Sequence, residues 1–153
     1  MAAHALLAIL AILLLIAAVT DLKARIIANR LNLAVALLAP AYWWAIGLAP
    51  WPDMAMQAAL GVAVFAIFAG LFALGWMGGG DVKLLGALAL WLPLVPLLRM
   101  LIAMSLLGGV LTLIVIAVHR FRKLETSPEV PYGVAIAAAA LWVIGEPYLN
   151  QFA

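Results

Sequence analysis

Apolar residues in this chain form six stretches, separated by short segments that hold most of the polar side chains. Several approach the about 20 residues that a helix needs to cross a bilayer. All are rich in Ala, Leu, Ile and Val without two-residue alternation, which favours helices over barrel strands. The pattern predicts an all-α, polytopic membrane protein, residues 1–153 forming a single domain with six transmembrane helices. The predicted spans are roughly 4–20, 31–50, 55–75, 84–98, 100–118 and 133–150.

Composition supports a membrane environment. Hydrophobic residues make up 70% of the chain and charged residues only 9%, whereas a soluble domain carries about 25% charged residues. There is no cysteine, which excludes disulfides, thiolate metal sites and cysteine nucleophiles. The formal net charge is +2, but the basic residues form no soluble basic face, so we expect no nucleic-acid partner.

The positions of Lys and Arg predict an orientation. Seven of the eight follow the first, third or fifth stretch, and only Arg99 follows another. Cytosolic loops carry an excess of basic residues, so both termini are predicted outside, with 22–30, 77–83 and 119–131 in the cytosol. The first stretch has no basic residue before it, which favours a retained anchor over a signal peptide. The six tryptophans, largely near the span ends, predict an aromatic belt.

Two of the six acidic residues directly abut a predicted helix end on the cytosolic side, Asp21 and Asp81. Asp21 alone is typical of a solvated interfacial residue. Asp81 follows Gly78, Gly79 and Gly80, which remove side-chain bulk and let a peptide backbone approach closely. It also opens a helix, whose dipole stabilises a carboxylate. The simplest structural interpretation is a flexible loop with an Asp cap.

Two carboxylates at one water molecule would be the minimal apparatus of an aspartic protease. Two like charges a few ångströms apart cannot both ionise easily, so the pair shares one proton. The ionised member can take a proton from water while the protonated member polarises the scissile carbonyl. Because the proton belongs to the pair, acid and base roles are not assigned individually.

These residues resemble a known family. The segment from Gly78 to Leu85, Gly-Gly-Gly-Asp-Val-Lys-Leu-Leu, is similar to the Gly-x-Gly-Asp motif of the type IV prepilin peptidases. Asp21, with the Lys, Arg, Ile, Asn and Leu that follow it, resembles the family's first aspartate motif. The segment 131–133, Pro-Tyr-Gly, is similar to one common at the start of its sixth helix. The short form looks most like the peptidases of tight-adherence (Flp) pilus systems.

The resemblance implies an aspartic endopeptidase of the bacterial inner membrane, with Asp21 and Asp81 as its catalytic residues. It would remove the basic leader of a prepilin-like substrate at the cytosolic face, just before the substrate's hydrophobic helix. Family members usually have Pro where this chain has Ala28; we expect the change to alter loop geometry more than chemistry. Larger members that also methylate their product carry a cysteine-bearing domain after the first helix. The predicted loop here is short and lacks cysteine, so we do not expect methyltransferase activity.

Other residues near these motifs are further candidates for the site. Gly78 and Gly80 are expected to form the loop that substrate approaches, and Lys83 could hold Asp81 or substrate, or simply reflect the positive-inside rule. Tyr132 and Gly133 are candidates for the site lining, or for a plain helix entry. His4 and His119 stand isolated in the sequence, so no metal site and no cofactor is predicted.

Two functions of other classes stay open on the residues alone. A small transporter or channel subunit could use Asp21 and Asp81 as ion ligands beside a broken helix, although the predicted spans place no ionisable group in mid-membrane. A non-catalytic secretion or pilus assembly subunit could keep the fold, but the presence of both aspartates argues against it. Archaeal preflagellin peptidases and presenilin-like proteases share the Gly-x-Gly-Asp motif. The presenilin-like proteases usually have their first aspartate in a Tyr-Asp pair, which is absent from this chain.

Overall fold

A computed structural model describes residues 1–122 and 130–149. These residues form six α-helices, and a short turn of π-helical spacing, Pro50–Met54, leads into the third. The all-α class and the six helices are therefore confirmed. Most of the predicted cytosolic segment 119–131 lies outside the described residues. The helices are α1 (Ala2–Ala24), α2 (Asn29–Ala45), α3 (Ala55–Ala73), α4 (Gly79–Ala89), α5 (Leu94–Arg122) and α6 (Tyr132–Leu149).

Among the described residues, three stretches of helix are long and apolar enough to cross a membrane: Ala2–Ala24, Pro50–Ala73 and Leu94–Phe121. A shorter apolar helix spans Tyr132–Tyr148. Large apolar side chains on α1, α3 and α5 are exposed, among them Ile12, Val62 and Leu113. Because such a surface is stable only against an apolar solvent, the protein is a membrane protein.

The predicted fourth span, 84–98, is wrong as one element. α4 has 11 residues, a length of roughly 16 Å, which is too short to cross a hydrocarbon core of about 30 Å. The chain leaves helical geometry before Pro93, whose missing N–H and bulky ring cannot continue a helix, and α5 then begins at Leu94. Arg99, predicted in a loop, lies within α5 and pairs with Glu146 at 3.3 Å.

Side chains from neighbouring helices satisfy the backbone carbonyls at the end of α4. Gln57 Nε2 donates to the carbonyls of Ala89 at 2.7 Å and Leu92 at 2.9 Å, and Trp43 Nε1 donates to Leu90 O at 2.7 Å. The last carbonyls of a helix lack intrahelical partners, and lipid offers none. Trp43 is thus not part of an aromatic belt, and neither is the buried Trp91.

The turn between α1 and α2 is shorter than predicted, because α1 continues one turn beyond Asp21 and α2 begins at Asn29. Arg25 ends α1 in the left-handed region, with φ 55°, and its N–H bonds to Asp21 O. Ala28, which stands where relatives usually have Pro, has φ −62°, within the range that a proline ring imposes. A proline could therefore adopt the φ of this residue, and the expected change in loop geometry stays a prediction.

α4 is the centre of the bundle. It packs against α2, α3 and α6, while α1 packs against α2 and α6, and α5 packs against α6. Leu84, Leu85 and Leu88 of α4 are fully buried, as its near-continuous apolar sequence suggests. The packing brings the start of α4, the last turn of α1 and the start of α6 together at one end of the molecule.

Candidate active site

The two aspartates line one small cavity at that end of the bundle. It measures about 210 Å³ and is walled by the turn after α1, by three glycines and by both carboxylates. Asp21 comes from the last turn of α1 and Asp81 from the first turn of α4, so their 60-residue separation in sequence is closed by helix packing. The lining residues are Asp21, Arg25, Ile26, Ile27, Gly78, Gly79, Gly80 and Asp81.

Asp21 is held by the beginning of α6. Its side chain is 6% exposed, and its Oδ2 accepts a hydrogen bond from the Val134 N–H at 3.2 Å. The same N–H also donates to Pro131 O at 3.2 Å, and its place in the first turn of a helix suits an anionic acceptor. Gly133 makes this approach possible, because a Cβ there would lie 2.9 Å from Asp21 Cγ.

Asp81 lies in the first turn of α4, which is too short to span the membrane. Burial and then the negative charge of Asp21 raise the pKa of Asp81 from 3.8 to about 6, and a backbone hydrogen bond at Gly78 partly offsets the rise. The charge of Asp21 contributes to this rise because both carboxylates line the same cavity. A coupled pair of this kind can retain one proton near neutral pH, as water activation by two carboxylates requires.

The three glycines before Asp81 have different surroundings. A Cβ on Gly79 would lie 3.3 Å from the Phe72 ring, whereas one on Gly80 would lie 3.2 Å from Ile27 Cβ and 3.4 Å from its carbonyl oxygen. An aromatic ring at the end of a side chain can shift more easily than a backbone carbonyl. Gly80 is thus the more constrained of the two positions.

We therefore expect Gly80→Ala to slow a reaction at this site at least about tenfold more than Gly79→Ala, a barrier difference of about 1.4 kcal/mol. The comparison is made at matched expression, with the cleavage rate as the measurement. Greater damage from Gly79→Ala would show that this loop is aligned wrongly with the family motif. Mild and equal effects of the two substitutions would favour the simpler interpretation, in which the glycines form a flexible loop.

Of the other residues predicted for the site, Gly78 lies against Asp81 and Gly133 lies against Asp21. Gly80 lines the cavity, but Lys83 and Tyr132 do not. Lys83 Nζ donates to Asn29 Oδ1 at 2.7 Å. The Tyr132 ring packs on α5, where a Cβ on Gly108 would lie 2.7 Å from it. Each side chain therefore contacts a neighbouring helix: Lys83 of α4 bonds to α2, and Tyr132 of α6 packs on α5.

The sequence analysis did not propose four residues that contribute to the site: Arg25, Ile26, Ile27 and Asn32. Arg25 and Ile27 line the cavity, and the buried Asn32 donates from Nδ2 to Gly80 O at 3.0 Å. Arg25 and Ile27 belong to the segment that resembles the first aspartate motif, and Asn32 is an amide in an otherwise apolar stretch. Within residues 1–122 and 130–149, no three His, Asp or Glu side chains are grouped so that they could hold a metal ion.

Fold and site together define a helical membrane protein with a coupled pair of aspartates at the end of its bundle. Residues 8–114 match the model of the type IV leader peptidase family. The matched range includes both aspartates and ends before α6. The chain belongs to this family and is a peptidase of the prepilin-processing type. No curated protein and no solved structure matches it significantly.

Proposed function

We propose that the protein is an aspartic endopeptidase in which Asp21 and Asp81 activate a water molecule to remove the leader of a prepilin-like substrate. The observation that carries the proposal is the shared cavity, which joins both aspartates and lies within the part of the chain that the family model matches. The proposal includes a single six-helix peptidase domain in a bacterial inner membrane. The transporter alternative has no comparable support, because the family is one of peptidases.

The proposed reaction uses one shared proton. The ionised carboxylate takes a proton from water as the water oxygen attacks the scissile carbonyl carbon, while the protonated carboxyl donates its proton to the carbonyl oxygen. The tetrahedral intermediate then collapses and the C–N bond breaks. The leaving nitrogen receives the proton that the pair holds, and one hydroxyl group of the intermediate returns a proton to the pair as the product carboxyl group forms. The pair ends with one proton, as it began.

The geometry of the cavity suits an extended substrate segment. Gly78, Gly79 and Gly80 present backbone without side chains beside Asp81, so a peptide can come close to both carboxylates. Beyond the cavity the bundle faces lipid, which suits a substrate whose apolar helix follows the cleaved bond. This arrangement favours a substrate cut at the boundary between a polar leader and a membrane helix.

The experiment that tests the proposal is cleavage of such a substrate in lipid vesicles by the purified protein. The substrate carries a basic leader that ends in Gly directly before an apolar helix, and mass spectrometry locates the cut. We expect one cut, after that Gly. Failure of the wild-type protein to cut any substrate of this design would overturn the proposal.

The proposal also places the active site at the cytosolic face, and the absence of cysteine makes this measurable. Ile26, in the turn beside the cavity, is 64% exposed, and Trp51, between α2 and α3, is 81% exposed. We expect an impermeant thiol reagent added outside cells to label Trp51→Cys and not Ile26→Cys. The reverse pattern would show the opposite orientation, with the active site outside.

A further inference from the structure

Amide side chains hold α4 at both of its ends. Near the start of the helix, Asn32 of α2 donates to Gly80 O at 3.0 Å. Near its end, Gln57 of α3 donates to Ala89 O and Leu92 O. Asp81 lies in the first turn of α4, so the hydrogen bond from Asn32 at that end influences where the carboxylate lies.

The two amides differ in what they contribute to stability. Gln57 supplies donors to carbonyls at a helix end, which otherwise lack partners. Gly80 is the second residue of α4, and in regular helical geometry its carbonyl already accepts the Leu84 N–H. The hydrogen bond from Asn32 is therefore an additional one, and the helix does not need it to satisfy its backbone.

Burial of the polar Asn32 side chain also destabilises the fold. Its side chain is 4% exposed, and its Oδ1 has no hydrogen-bond partner among the described residues. An unpaired buried acceptor destabilises the fold, whereas an apolar side chain of the same shape avoids this cost. Stability therefore does not explain an asparagine here, and local rules are typically broken where function requires it.

The hydrogen bond acts on the peptide unit that joins Gly80 to Asp81. Asn32 holds its carbonyl, and Ile27 closes the other approach, because a Cβ on Gly80 would lie 3.2 Å from Ile27 Cβ. With that peptide unit held, the backbone direction from which the Asp81 side chain departs is set. A displacement of about 1 Å between reacting groups can cost about 100-fold in rate.

We propose that Asn32 is a positioning residue, which holds the first turn of α4 against α2 and so keeps Asp81 directed at Asp21. The inference rests on the proposed peptidase function. Asn32 acts through the Gly80 carbonyl, and it does not line the 210 Å³ cavity itself. Substitution of Asn32 is therefore expected to slow the chemical step rather than to weaken substrate binding.

Asn32→Leu and Gln57→Leu form a matched pair. Each substitution puts an apolar side chain in place of an amide that donates a hydrogen bond at one end of α4. We expect Asn32→Leu to keep or raise the Tm, to lower kcat at least about tenfold, equivalent to about 1.4 kcal/mol of barrier, and to leave KM nearly unchanged. Gln57→Leu should lower the Tm and leave kcat per folded molecule unchanged. Asn32→Ala serves as a second variant.

Backbone amide exchange gives a readout that does not depend on activity. In Asn32→Leu, the amides of residues 80–84 should exchange at least about tenfold faster, while those of residues 85–89 stay as in the wild type. If the wild type cuts no substrate but this local exchange still responds, the proposed function fails and the positioning role stands.

Three results would overturn the inference. The first is wild-type kcat in both Asn32 variants. The second is unchanged exchange at residues 80–84. The third is a fall in Tm in both Asn32 variants as large as that of Gln57→Leu, with activity that follows the folded fraction; this would make Asn32 a structural residue only.

Discussion

Asp21→Asn and Asp81→Asn are each expected to reduce leader cleavage at least about a thousandfold, equivalent to about 4 kcal/mol of barrier. An amide cannot take a proton from water or share one with the remaining carboxylate, so either substitution removes the paired function. Both variants should remain folded. An amide oxygen at position 21 can still accept the Val134 N–H, and a neutral side chain at 81 avoids the burial of charge that raises the pKa of Asp81.

The matched control is Asp53→Asn. Asp53 lies in the turn before α3, at the other end of α2 from the cavity, and its Oδ2 accepts the Ala49 N–H at 3.3 Å. We expect this variant to cleave at the wild-type rate in the same vesicle assay. Near wild-type turnover by either the Asp21 or the Asp81 variant, with the control intact, would remove that residue from the catalytic pair.

Gly133→Ala is expected to lower kcat at least about 100-fold, close to 2.7 kcal/mol of barrier. An added Cβ would lie 2.9 Å from both Cγ and Oδ2 of Asp21, and 2.7 Å from Ile27 Cδ1. The carboxylate cannot simply move aside, because the Val134 N–H of the same helical turn holds its Oδ2. The substitution therefore displaces Asp21 from its place opposite Asp81.

Gly145→Ala provides the control on the same helix. A Cβ at Gly145 has no neighbour within 4 Å, and Ala is favoured over Gly within a helix by up to about 1 kcal/mol. This variant should keep wild-type kcat and a Tm at least as high. Should Gly133→Ala cleave as fast as Gly145→Ala, α6 does not support Asp21 in the way its contacts indicate.

Much of the helical framework could be predicted because it follows from local chemistry. Apolar stretches between polar segments predict helices in lipid, since lipid offers no partner to an unpaired backbone group. The prediction failed at residues 84–98, where hydropathy alone gave no reason to end a helix before Pro93. A short helix with protein on most sides is as apolar as a spanning one, so hydropathy does not separate them.

The candidate site was predicted in part. Asp81 was identifiable because three glycines precede it, and Asp21 because a basic segment follows it. Lys83 and Tyr132 had the same kind of support from their motifs, yet their side chains bond or pack between helices. Position near a motif does not reveal the direction in which a side chain points.

The sequence by itself determined the membrane environment, the six helices, the family and the two carboxylates worth testing, because each depends on composition or on residues that are close in the chain. Only the tertiary structure decided that Asp21 and Asp81 line one cavity, that α6 holds Asp21 through Val134, and that Asn32 reaches Gly80. These contacts join residues 48 to 113 positions apart. They depend on how helices pack, which no local pattern of hydrophobic and polar residues encodes.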